Sequence, residues 1–102
     1  MNIHNRQKFE IELLSRNYID SKRKLKDHEQ KTVRYSVDRV RLYRRIVTHI
    51  EDVIAILPEK ERIIIENEVI KGRSGAWYLE YFSAPSYYRH RSKAYDNFLR
   101  CL

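Results

Sequence analysis

The apolar positions of this chain recur at helical spacing rather than in the alternation of a strand. Phe9, Leu13, Leu14, Tyr18 and Leu25 form a broken stripe that predicts a first helix over residues 5–28. Gln30 to Ser36 is the expected connection. Two series then repeat every seven residues: Val33, Val40, Val47, Ile54, and, offset by three, Ser36, Tyr43, Ile50, Leu57. Together they make the seam of a long second helix over residues 36–57. That seam fits a core helix packed within one chain, and it also fits a homodimer through residues 33–57. A short connection favours an antiparallel pair inside one chain.

Leu57-Pro58 ends the second helix, because proline disfavours a helical residue before it and suits the first turn after it. Glu59 and Glu61 suit the positive end of a third helix, and Ile63, Ile64, Ile65, Val69 and Ile70 supply its buried face up to Gly72. Gly72-Arg73-Ser74-Gly75 predicts a turn, a short helix begins at Ser74 or Arg73 and runs through residues 76–81, and Phe82-Ser83 makes a second turn. Ser83 can cap the last helix, with Pro85 in its first turn. Tyr87, Ala94, Phe98 and Leu102 would face a core, while Ser86, Arg89, Lys93, Asn97 and Arg100 form a polar face. Trp77, Leu79 and Phe82 would brace the short helix against the last one. The expected fold is all-α: an N-terminal helical hairpin over residues 1–56, then a C-terminal helix-turn-helix over residues 57–102.

Composition sharpens this picture. Only two glycines and two prolines interrupt 102 residues, in keeping with a mostly helical chain. No apolar run is long enough for a signal peptide or a membrane span, and Cys101 has no second cysteine to pair with. A cytoplasmic protein with no membrane partner is the expectation.

The net charge of +7 is unevenly spread. Residues 1–50 hold 13 Lys/Arg against 6 Asp/Glu, residues 51–70 hold 2 against 6, and residues 71–102 hold 6 against 2. Two basic regions flanking an acidic helix point to two surfaces, one of them facing polyanions. Nothing in the sequence argues for catalysis. His4, His28, His49 and His90 are scattered, without metal-ligand spacing. The Gly72–Gly75 turn lacks the Gly-Lys-Ser/Thr of a phosphate loop. No cofactor, metal or enzymatic activity is expected.

A basic helix that packs on one side and offers Ser, Arg, Lys and His on the other is the form of groove-reading helices. Here the residues carry a resemblance. Leu57-Pro58, Glu61-Arg62 and the isoleucine run, with Ser83-x-x-Ser86-Tyr87, Ala94 and Phe98, resemble region 4 of bacterial sigma factors. The whole chain resembles small phage regulators of late transcription of the ArpU and RinA type. That likeness adds Glu12-Leu13, Tyr18 and the basic run of the first helix, then Trp77 and Tyr87-Tyr88-Arg89-x-Arg91-x-Lys93-Ala94. The chain departs from the pattern at Tyr81-Phe82, where a glycine is usual, and at His90-Arg91, where a leucine often stands. Turned inward, Arg91 would need a carboxylate such as Glu66 or Glu68.

The resemblance implies sequence-specific binding of double-stranded promoter DNA, with activation of phage or phage-derived genes; RNA polymerase stays open as a second partner. The candidate DNA-binding residues are Lys71, Arg73, Ser83, Ser86, Tyr88, Arg89, His90, Ser92 and Lys93. A different class of function stays open. The acidic helix and the tyrosines could serve a helical adaptor that binds polymerase or another protein. A third reading is a phage DNA-packaging component that uses a similar DNA-binding domain.

Overall fold

A computed structural model describes the backbone from Ile3 to Leu102 and the side chains from Asn5 onward, so the His4 side chain lies outside the described residues. Every regular element among those residues is helical: α1 (Ile3–Glu29), α2 (Val37–Ala55), α3 (Glu59–Ile65), a π-helical turn (Glu66–Ile70), a 3-10 turn (Trp77–Glu80) and α4 (Ala84–Cys101). None of these helices is long and apolar enough to cross a membrane.

Lys31, at a φ of 60°, turns the chain out of α1, and Ser36 starts α2 by accepting the Arg39 amide at 3.2 Å. The helix then runs back along α1. Tyr35 donates its amide to His28 Nδ1, the Lys24 ammonium lies 5.1 Å from the Tyr43 ring centre, and the Tyr18 hydroxyl donates to Glu51. As α1 numbers fall, α2 numbers rise, which defines an antiparallel pair. The seam positions Val40, Val47, Ile50, Ile54 and Leu57 are buried inside this single chain. Ser36 serves instead as the helix cap, and Val33 lies before the helix with 43% of its surface exposed.

The stripe expected on α1 holds in part: Tyr18 is buried and Leu14 and Leu25 pack against the core. Phe9 and Leu13 point outward, while Ile11, Ser15, Tyr18 and Ser21 point in. The two serines are small enough to let α1 approach closely, and Ser15 Oγ donates to the Val69 carbonyl at 2.8 Å. That bond satisfies a buried carbonyl outside the α-helical ladder.

The predicted third helix divides. After Ile65 the ladder widens to the π pattern, with the Lys71 amide reaching the Glu66 carbonyl at 3.0 Å. Buried Asn67 stabilises the widened turn: its side-chain amide donates to the Ile63 carbonyl, and its own carbonyl accepts the Arg73 amide. Gly72 follows at a φ of 63°, and a Cβ there would come within 3.1 Å of Ile19 on α1. The left-handed backbone favours glycine at that point, and a side chain there would also push the tip of Ile19 aside by a few tenths of an ångström.

The expected short helix is a single 3-10 turn. Leu79 is 61% exposed, so the brace consists of Trp77 and Phe82 without it. On α4 the inner face is Tyr87, Ala94, Tyr95 and Phe98. Leu102 is not part of it; it ends the helix at the surface, where its carbonyl lies 3.1 Å from His49 Nε2.

One continuous core joins Ile11 and Tyr18 of α1, the α2 seam, Ile64, Ile65 and Val69, and the inner face of α4. Phe98 is fully enclosed within it. Replacing Phe98 by Ala should therefore cost about 3–5 kcal/mol. Leu79→Ala should stay within about 0.5 kcal/mol of the parent. Urea unfolding of the two variants measures the contrast.

Candidate nucleic-acid interface

The sequence of α4 assigns its sides. Tyr87, Ala94, Tyr95 and Phe98 are buried, so residues displaced by half a turn must face water. Arg89, Lys93 and Arg100 do so, with Ser86 half-buried beside them. The two flanks of this outer face are anchored to other elements. On one side Asn97 donates to Glu61 of α3 at 2.6 Å; on the other, Gln7 of α1 donates to Asp96. Asn97, expected on the free polar face, is thus committed to holding α3.

His90 sits on the α3 flank, its ring 6.0 Å from that of Phe82. Burial, followed by the charges of Lys60, Arg89 and Lys93, holds its pKa below the ordinary histidine value, against an opposing pull from Glu61. Those three cations therefore create one local positive field. Lys60, on α3, was not legible as part of this face, because it belongs to the acidic stretch of the sequence.

The remaining candidates divide. Ser83 is the N-cap of α4 and accepts the Ser86 amide at 3.3 Å. Pro85 has no amide hydrogen, and the Tyr87 amide is bound to the Ser83 carbonyl, so few first-turn donors remain for a phosphate. Ser92 is half-buried, and Lys71 is exposed beyond the π turn. Arg73 is engaged by Asn67 Oδ1 at 3.1 Å and Glu80 Oε2 at 3.2 Å. Tyr88 lies on the flank opposite His90. It borders, together with Arg73, an open cleft between α1 and α4 that Arg89 and Lys93 do not reach. The structure thus groups Ser86, Arg89, Lys93 and Lys60, and sets Arg73 and Tyr88 apart from them.

The position of α4 depends on Glu68. Its Oε2 accepts from the Tyr87 hydroxyl and from Trp77 Nε1 at 3.3 Å, and its Oε1 accepts from the Tyr95 hydroxyl. One carboxylate on the π turn thereby ties the 3-10 turn and α4 together. Arg91 does not form the carboxylate pair expected of an inward arginine. Its guanidinium lies over the rings of Tyr88, Tyr95 and Tyr87 at 5.2, 5.4 and 6.0 Å. Ring faces attract a cation without requiring a second buried charge.

Cys101 is exposed, and the described residues contain no cluster of three or more metal-ligating side chains. No family model, curated protein or solved structure matches this chain.

The Glu68 arrangement has two measurable consequences. Glu68→Leu leaves three part-buried donors without an acceptor and should destabilise the fold by at least about 1–3 kcal/mol, measured by thermal or urea unfolding. Burial, reinforced by the neighbouring carboxylates, raises the pKa of Tyr18, Tyr87 and Tyr95 far above the ordinary phenol value. A raised folded-state pKa gives stability that is complete below the unfolded value, about 10, and is lost as pH climbs above it. In an absorbance titration these three phenols should ionise only as the protein unfolds, after the exposed tyrosines.

Proposed function

We propose that this chain is a sequence-specific DNA-binding transcription regulator that reads double-stranded DNA with the outer face of α4. Residues 57–102 act as a helix-turn-helix of the sigma-region-4 kind: α3 and the π turn form the support, the 3-10 turn the short second element, and α4 the recognition helix. The antiparallel pair α1–α2 is the scaffold behind it. The observation that carries this reading is the division of α4 into an inner face locked by Glu68 and an outer face of Ser86, Arg89, Lys93 and Arg100. A rigidly anchored helix with an outward row of donors suits major-groove recognition.

Within this reading the residues divide by role. Arg89 has the reach and fork geometry for a guanine edge, and Ser86 is adaptable to several bases. Lys93, Arg100 and Lys60 are phosphate-facing cations that set position without reading sequence. Ser83 stiffens the helix start. Tyr88 and Arg73 do not belong to this contact surface, and His90 supports it from the flank. The seam of α2 is consumed within the monomer, so a homodimer through residues 33–57 would have to use outward positions such as Val37, Leu42 and Ile56.

Arg89→Ala should cost about 1–3 kcal/mol at the best site and relax preference at one base pair. Lys93→Ala should weaken all sequences alike and reduce the salt slope by about one. Fluorescence anisotropy on matched and mismatched duplexes distinguishes the two patterns. Unchanged binding of the Arg89 variant to its best site rules the assignment out.

A further inference from the structure

On the side of α4 away from Arg89 and Lys93, the helix, α1 and the loop at residues 72–76 surround an open cleft of about 710 Å3. Lys8 and Arg16 of α1 line one wall, Arg73 lies on the loop, and Tyr88 and Arg91 come from α4. Two acids, Glu12 and Glu68, also line it. Glu68 is already occupied by three donors, and Arg73 is already paired with Glu80. Among the described residues, no carboxylate lies within 4.0 Å of the cationic groups of Lys8, Arg16 or Arg91. Hydrogen bonds from neutral donors leave the Glu68 charge in place, so Lys8, Arg16, Arg73 and Arg91 against Glu12, Glu68 and Glu80 give the cleft a small positive excess.

Its aromatic lining narrows the choice of anion. Tyr78 and Tyr87 stack at 4.0 Å with planes 6° apart, and Tyr88 meets both rings edge-on. Arg91 lies over the Tyr88 ring, which nevertheless remains 53% exposed. An exposed tyrosine with Arg91 over its ring and Lys8 and Arg16 across the cleft offers stacking and phosphate contacts together, the combination that holds single strands. An acidic peptide would meet the cations but leave the ring without a flat partner. A duplex keeps its base faces stacked inside. Small-molecule sites enclose most of their ligand, whereas this cleft is open, as a passing strand requires.

We propose that the cleft binds a short single-stranded segment of nucleic acid, with one base stacked on Tyr88 and neighbouring phosphates held by Lys8, Arg16 and Arg91. This surface is separate from the outer face of α4, and either can fail without the other. Trp77, the only tryptophan of the chain, lines the cleft and reports on its occupancy.

The test is a titration of the full-length protein with an oligothymidylate of about eight nucleotides, at several salt concentrations, followed by Trp77 fluorescence. Saturable binding is expected. Tyr88→Ala should weaken it between about fivefold and a hundredfold. Arg16→Gln, on an exposed position of α1, should lower the salt slope by about 0.7. Arg89→Gln should leave it unchanged while impairing duplex binding. Lack of saturable binding overturns the proposal, as does equal loss in the Arg89 variant. Polyglutamate binding with the same Tyr88 dependence would overturn it in favour of an acidic peptide. Thymidine monophosphate binding as tightly as the oligomer would overturn the strand reading.

Discussion

The three hydrogen bonds to the Glu68 carboxylate set the geometry on which the rest of the C-terminal half depends. Two of the donors, Tyr87 and Tyr95, lie two turns apart on α4, so a shared acceptor fixes both the rotation and the height of that helix. The third, Trp77, fixes the 3-10 turn against it. Glu68 projects from the π turn. The extra residue in that turn rotates the chain beyond it by about 100° relative to a continued α-helix. Asn67 and Gly72 stabilise the distortion, one through its amide bonds to the neighbouring backbone and the other by admitting Ile19 of α1.

Once the inner face is locked, the other sectors of α4 have no freedom. One flank meets α3 through Asn97 and Glu61, the other meets α1 through Asp96 and Gln7, and between them remains a narrow basic strip. The same packing joins α1 to both the π turn and α4, through Ser15 and Gln7. The antiparallel pair thus contributes directly to the orientation of the basic strip. Arg91, stacked among three tyrosines, lies inside the aromatic cleft on the side of α4 away from that strip.

Much of this architecture was legible in the chain. Ser36 and Ser83 cap their helices as their positions foretell, Pro58 breaks the chain where its ring demands, and the heptad spacing of α2 predicts its buried residues. The errors share one physical cause: periodicity counts apolar residues but does not see which face a neighbour selects. Phe9 and Leu13 face outward, while Ile11 is buried on the same side as small Ser15 and Ser21. The π turn leaves no trace in hydrophobic spacing, so the Glu68 acceptor was invisible. So was the inward turn of Tyr95, whose hydroxyl requires that acceptor. Among the candidate contacts, Arg89 and Lys93 fall on the outer strip, while Tyr88 and Arg73 fall elsewhere, a division that depends on the rotation set by Glu68.

The most direct measurement of the central claim is selection from a randomised duplex pool, followed by salt-dependent binding of the enriched sequences. A regulator reading DNA with α4 predicts one enriched motif and an affinity that falls steeply with salt. An unenriched pool, bound weakly and released at moderate salt, would contradict the account and reduce the outer face of α4 to an ordinary charged surface.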